Sequence, residues 1–326
     1  MRKRNSASQV KAVDTGIARW AILVVAGQSN AVGYDESPVD AAEFQSNPRI
    51  KQLGYHTNNL EIIDLGFCAQ NFQDMRRVQG GTKGIHYHLA KKCLEFLPQD
   101  VGVLVIPAAF GGTTACRQGS SVFNNSKGHF DANTKKITTN TAAAHAWGCA
   151  KDGSDYTDPI RVIIERVKYV NSKFDSALLG IVFCQGENTT IGSATGINTT
   201  ADVCTTYTEL VEGIIAASIR NGIKMFDGKN VSRRDIYVYE STYYWTSAAN
   251  PNRITYEALS QYYQKMLPGN NYYIPPKHSG ITNETNGTGA TSSNRPTHFG
   301  NNAFRDYIAP AMAMAIQKSF TLHRSI

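Results

Sequence analysis

A chain of 326 residues that is 41% apolar and 18% charged can bury a full core and reads as globular, with length alone allowing one large domain or two. No run approaches the roughly 18 apolar residues of a membrane span, so membrane insertion is not expected. The net charge of +7 would suit nucleic acid or a polyanionic glycan, but beyond the N-terminus the basic residues are dispersed in pairs such as Arg76-Arg77, Lys91-Lys92, Lys135-Lys136 and Arg233-Arg234. None of these pairs sits in a basic-aromatic motif, which argues against specific nucleic-acid binding.

The opening Met1-Arg2-Lys3-Arg4-Asn5 is basic, but the mixed, polar stretch from Ser6 to Gly16 offers no signal-peptide core. Residues 1–16 are therefore expected to be a flexible end and 17–326 a single domain. The six cysteines are scattered, with no C-x-x-C pair and no histidine at metal-ligand spacing. They read as free, mostly buried thiols of a protein made in a reducing cytoplasm, with no metal and no cofactor.

Ala21 to Gly33, AILVVAGQSNAVG, carries the argument. Its apolar run predicts a strand buried on both faces, and the glycine after it predicts a sharp turn. Ser29 then lies at the carboxyl end of a strand, where ligands bind in an open parallel sheet. Two readings stand: Ser29 is a nucleophile, or Ser29 or Asn30 caps a following helix.

Further along, Asp35 to Pro48 reads as loop and Leu60 to Leu65 as a weak strand. A helix is expected over Gly84 to Leu97, ended by Pro98, and a buried strand over Val101 to Ile106. The latter runs into a turn whose Gly111-Gly112 pair lets backbone N–H groups approach a ligand. Arg117 to Thr157, rich in Asn, Gly, Ser and Thr, is expected to be a functional rim or disordered. Pro159 to Lys173 predicts a helix, Ala177 to Cys184 a third buried strand delivering Gln185-Gly186-Glu187, Tyr207 to Arg220 a helix, and Asp235 to Tyr239 a fourth strand with an aromatic exit at Tyr243, Tyr244 and Trp245. Ile254 to Met266 is helical by pattern, Asn271 to Ile274 a short strand, Ser279 to Asn294 a loop, and Ala303 to Lys318 the last helix. The alternation argues an α/β fold with a doubly wound, mainly parallel sheet.

Acyl transfer by serine needs a base, a group to orient it and donors for the oxyanion. Strand ends supply each: Ser29, the Gly111-Gly112 amides, Gln185 and Glu187, and His298 on the last loop.

In this order Gly27-Gln28-Ser29-Asn30, Gly111-Gly112-Thr113, Gln185-Gly186-Glu187 and His298-Phe299-Gly300 resemble the blocks of the SGNH-hydrolase superfamily. They are most similar to its sialate O-acetylesterase and acetylxylan-esterase branch, with its GQSN and QGE signatures. The resemblance implies a three-layer, flavodoxin-like α/β/α fold and removal of O-acetyl groups from a carbohydrate or cell-surface polysaccharide through an acyl-enzyme. It makes Ser29 the nucleophile and His298 the base, with the N–H groups of Ser29 and Gly112 and the Gln185 side chain as the oxyanion hole and Gly111 able to replace Gly112. The superfamily's D-x-x-H is not kept, because Arg295 stands where the Asp would be.

Glu187, two residues after Gln185 and so on the same side of an extended exit, is the expected partner of His298, with pairing to Arg295 or holding the strand-end loop as the other reading. Asn30, Gly111, Tyr243, Tyr244 and Trp245 are expected to bind substrate, an acetylated glycan. The polar loops also resemble esterase domains of bacteriophage tail proteins, which would make the chain a virion component. Two alternatives remain: a lipid or thioester hydrolase on the same fold, and a non-catalytic glycan-binding module.

Overall fold

The computed structural model describes residues 16–35, 40–54, 62–64, 83–125, 130–137, 146–189, 196–282 and 297–324. The expected flexible segment 1–16 thus lies, Gly16 apart, outside the described residues, as do Arg295, His129 and His145.

Strand β1 (Arg19–Gly27) is the centre of a seven-stranded sheet. Around it stand β2 (Ile50–Leu53), β3 (Ile62–Asp64), β4 (Val101–Ala109), β7 (Ser176–Cys184), β8 (Ile236–Tyr239) and β9 (Tyr272–Tyr273), in the order β3-β2-β4-β1-β7-β8-β9. All neighbours are parallel except β2 and β3. A parallel sheet needs cover on both faces, which is why β1, β4 and β7 read as unbroken apolar runs. Ile22, Val24 and Ala26 face one core, with α4 (Asp158–Asn171), α5 (Thr200–Arg220) and α6 (Arg253–Met266). Ala21, Leu23 and Val25 face the other, with α2 (Ile85–Cys93) and the C-terminal helix. The doubly wound, mainly parallel sheet expected from the alternation, and the three-layer α/β/α arrangement implied by the resemblance, are the ones observed.

Several boundaries differ from expectation, each for a physical reason. Helix α5 begins two turns before Tyr207, because Thr199 accepts from the Asp202 N–H while Asp202 accepts from the Thr199 N–H, a reciprocal cap that outweighs the polar first turn. The C-terminal helix starts at Asn301 rather than Ala303 and runs to Arg324, as α7 (Asn301–Ala303), a π-helical turn over Phe304–Ile308 and α8 (Ala309–Arg324).

Arg117 to Thr157, expected to be a functional rim or disordered, carries regular structure in its described residues. It holds a short helix, α3 (Ser121–Asn125), and a hairpin of β5 (Phe130–Asp131) and β6 (Lys136–Ile137). Its far end folds inward: Trp147 is fully buried, exchanges backbone bonds with Thr114 and Cys116, and packs edge-on against Phe183.

Cys93, Cys116, Cys149, Cys184 and Cys204 are free thiols, and Cys68 lies outside the described residues. No helix among the described residues is long and apolar enough to cross a membrane.

The tightest point of the sheet is Gly27. Its φ of +124° is one that side chains resist, and a Cβ there would stand 2.0 Å from the Cys184 carbonyl oxygen of β7. Gly27→Ala is therefore expected to destabilise the protein by about 3–5 kcal/mol, because both strain and a backbone clash must be relieved. Denaturant unfolding measures this, and a loss under about 1 kcal/mol would show that β1 and β7 separate there at little cost.

Candidate active site

The parallel register brings three strand ends to one level. Gly27 of β1 stands opposite Ala109 of β4 on one side and Cys184 of β7 on the other. The chain leaves β1 for β2 and β4 on one side and later returns to form β7 on the other, so this end is the switch point where open α/β sheets bind ligands. The exits are also bonded together: Phe110 N–H donates to the Gly27 carbonyl and Gln28 N–H to the Cys184 carbonyl, both at 2.9 Å.

Ser29 opens the single turn α1 (Ser29–Val32), closed by the N–H groups of Ala31 and Val32 on the Gln28 carbonyl. The N-cap position of that turn is Gln28 and no side chain caps it, so the reading of Ser29 or Asn30 as a helix cap is not met. Ser29 is 8% exposed, and among the described residues neither its hydroxyl nor its N–H has a hydrogen-bond partner. The Gly112 N–H is likewise without an acceptor among them, and a φ of +81° at Gly112 turns that peptide. Gly111 packs against Tyr34, whose hydroxyl would be 2.6 Å from a Cβ at Gly111, so this neighbour is held by contact.

His298 lies on the loop leading into α7. Its ring stacks on Tyr34 with centroids 4.8 Å apart and planes 15° from parallel, and Thr297 Oγ1 stands 3.4 Å from Nδ1. Tyr34 was not singled out by the sequence; its one signal was a place five residues after Ser29, just before the loop expected from Asp35.

Glu187 does not touch His298. Its Oε1 accepts from Asn30 Nδ2 at 2.7 Å and from Ser241 Oγ at 2.9 Å, and its Oε2 is buried without a partner. The expectation of a shared side for Gln185 and Glu187 assumed an extended exit. Gly186 adopts a φ of +140°, so the two side chains part there. The alternative pairing of Glu187 with Arg295 falls outside the described residues. Burial raises the Glu187 carboxyl to about 7, outweighing the Asn30 and Ser241 hydrogen bonds that pull it down.

Asn30, expected to touch substrate, is 1% exposed and spends its side chain inside the protein. Its Nδ2 reaches Glu187 Oε1, Ser241 Oγ at 2.5 Å and the Thr297 carbonyl at 2.9 Å, and its Oδ1 accepts the Phe299 N–H at 3.0 Å.

Gln185 is also engaged. Its Nε2 donates to Gln28 Oε1 at 3.0 Å and to the Thr113 carbonyl at 2.9 Å, which uses both amide hydrogens. Thr113 in turn accepts the indole N–H of Trp147 at 3.1 Å. Gln28 Nε2 is buried with no partner among the described residues, so the amide donor unengaged there belongs to Gln28, a GQSN residue that sequence reasoning passed over.

Tyr243, Tyr244 and Trp245 form a half-buried 3-10 turn after β8. Trp245 Nε1 points at the Thr297 carbonyl, 3.4 Å away, which puts the indole beside the His298 loop. No group of acidic, histidine or cysteine side chains among the described residues could hold a metal ion.

No known family's sequence profile matches the chain. It is 27% identical over 310 residues to a probable 9-O-acetyl-N-acetylneuraminic acid deacetylase of Escherichia coli strain K12, covering 87% of this chain and 85% of that one. Its fold is similar to the solved structure of NanS, with a TM-score of 0.70 and 23% identity, over 94% of this chain and 99% of that one. A protein of Arabidopsis thaliana of known structure is similar at a TM-score of 0.51 and 13% identity, over 93% of this chain and 98% of that one.

The Glu187 carboxyl makes a thermodynamic prediction. With a folded value of about 7 against an ordinary 4.5, the native state holds more protons than the unfolded chain between those limits. This contribution to stability is complete below about pH 4.5 and is lost as pH rises through 7. Glu187→Gln, which keeps the accepting oxygen, should remove that decline, worth at most about 3 kcal/mol. Urea midpoints at pH 5, 6, 7 and 8 measure it; parallel curves for the variant and the wild type would move the titration to another group.

Proposed function

Taking the chain as a member of the SGNH hydrolases, in the sialate O-acetylesterase branch, we propose that it removes O-acetyl groups from an acidic sugar of the N-acetylneuraminic acid type, with Ser29 as nucleophile and His298 as base. One observation carries the reading: Ser29 sits at the carboxyl end of the central strand with its hydroxyl and N–H unengaged among the described residues, beside a histidine loop bonded to the same turn. Both groups are what an acyl transfer asks of that residue.

In this reading Ser29 Oγ attacks the acetyl carbonyl carbon as His298 takes its proton. The oxyanion that forms is met by the N–H groups of Ser29 and Gly112, neither of which must break a bond to a described residue to serve. The intermediate collapses by breaking the bond to the sugar oxygen, which leaves with the proton from His298. Water then repeats the sequence on the acetyl-serine, releasing acetate.

Gln185 takes part as an oxyanion donor only by giving up its bond to Gln28 or Thr113; otherwise it holds Gln28, whose Nε2 is the donor at that depth. Tyr34 keeps the imidazole upright by stacking. Trp245, fixed to the Thr297 carbonyl, stands as an aromatic wall on which the sugar's apolar face can pack, with Tyr244 edge-on behind it.

The wild type is expected to release acetate from 9-O-acetylated N-acetylneuraminic acid and to hydrolyse p-nitrophenyl acetate far faster than the octanoate. Ser29→Ala should lower kcat by roughly a thousandfold or more with the fold intact, since only binding and oxyanion contacts remain. Acetate assays on the purified variant decide it: turnover within tenfold of wild type would remove Ser29 from the chemistry. Equal rates on acetyl and octanoyl esters would favour a lipid hydrolase.

A further inference from the structure

His298 needs its Nε2 or Nδ1 at a definite distance from Ser29 Oγ, yet the two residues come from opposite ends of the chain. Stacking on Tyr34 sets the ring's tilt. What holds the backbone that carries the ring is the residue next to Ser29. Asn30 Nδ2 donates to the carbonyl of Thr297, the residue before His298, and Asn30 Oδ1 accepts the N–H of Phe299, the residue after it.

We propose that Asn30 is a positioning residue that sets the distance between nucleophile and base by gripping the His298 backbone on both sides. The proposal rests on the Ser29–His298 reading above and deepens it.

The carboxamide suits this task in a way no other side chain of its size does, since one face must donate and the other accept. Its own orientation is set from behind. Ser241 gives its proton to Glu187 Oε1, which leaves the Ser241 oxygen to accept from Asn30, and Glu187 Oε1 accepts from Asn30 as well. With acceptors on that side, Nδ2 cannot trade places with Oδ1, so the amide cannot flip. The backbone of Asn30 is held too, because the buried Tyr239 hydroxyl donates to its carbonyl at 2.9 Å. Glu187 therefore reaches His298 at one remove, through Asn30 and the peptide bonds flanking the ring.

The experiment compares Ser29→Ala, Asn30→Ala and the double variant Asn30→Ala with Glu187→Gln, on p-nitrophenyl acetate and against a fluorophosphonate that labels an activated serine. The double variant avoids leaving a buried carboxylate short of a donor, so it keeps the test open where the single variant folds poorly. In a folded variant at 10 °C, well below its melting temperature, loss of Asn30 should lower kcat on the order of 100-fold with KM within about threefold, as a misplacement of about 1 Å does. The labelling rate should fall in parallel, because it reads the Ser–His geometry without the sugar.

A kcat within threefold of wild type, or a deficit that vanishes at 10 °C, overturns the positioning role while an inactive Ser29→Ala leaves the esterase mechanism standing. Failure of both the single and the double variant to fold would assign Asn30 to the fold alone and also overturn it. Activity surviving in Ser29→Ala would instead bring down the reading on which the proposal rests.

Discussion

The rim of this protein depends on how closely two backbones meet at the end of the central strand. Gly27 lets β1 lie against β7 through its last residue, and the Cys184 carbonyl that a side chain would displace accepts the Gln28 N–H instead. Because the strands stay joined that far, Gln28 and Gln185 come within hydrogen-bonding reach of each other under the rim, and Thr113 from the β4 exit closes the group. A buried amide left without partners costs about 1–3 kcal/mol, so this group holds only if all three exits keep their relative heights. The turn that presents Ser29 rests on that floor.

A second set of buried polar contacts stands beside it. Lys83 pairs with Asp35, and the Asp35 carboxylate also accepts the Asn301 N–H at 2.6 Å, so the segment after the Ser29 turn is bound to the start of α7. Asn301 is itself held by Glu43 and by His88, whose pKa burial lowers, favouring the neutral ring. The His298 loop is thereby secured by Asn30 ahead of α7 and by Asp35 at its first residue. Rigid support of this kind is what the role of base proposed for His298 requires.

Much of this could be read in the chain. The strands β1, β4 and β7 are legible because burial on both faces makes them unbroken apolar runs, and their glycine exits mark the rim. Ser29, Gly112, Gln185 and His298 were legible as an ordered set of strand-end residues. What the chain hid was pairing. Whether Glu187 faces His298 or Asn30 turns on the φ of Gly186, and a glycine discloses that it can take a positive angle without disclosing that it does. Asn30 looked like a ligand contact because polar residues at strand ends usually face solvent, whereas here a distant loop covers it. Trp147 lies in the segment Arg117 to Thr157 that the sequence presented as a loop; its burial comes from the long-range bridge to Ala115, the Thr113 hydroxyl and the Phe183 ring.

The bond between the Phe299 N–H and Asn30 Oδ1 spans 269 residues of chain. Contacts of such separation close late, since the entropy of the intervening loop must be overcome by structure already in place. The histidine loop can pair locally with the Ile281–Thr282 segment, but its bonds to Asn30 wait until the rim of the central sheet exists. During synthesis Ser29 therefore emerges long before His298 does, and the growing chain carries the proposed nucleophile without its proposed base. Under the proposed Ser29–His298 mechanism, competence would arrive as the last act of assembly, which would make activity a report on completed folding rather than on the presence of the sheet.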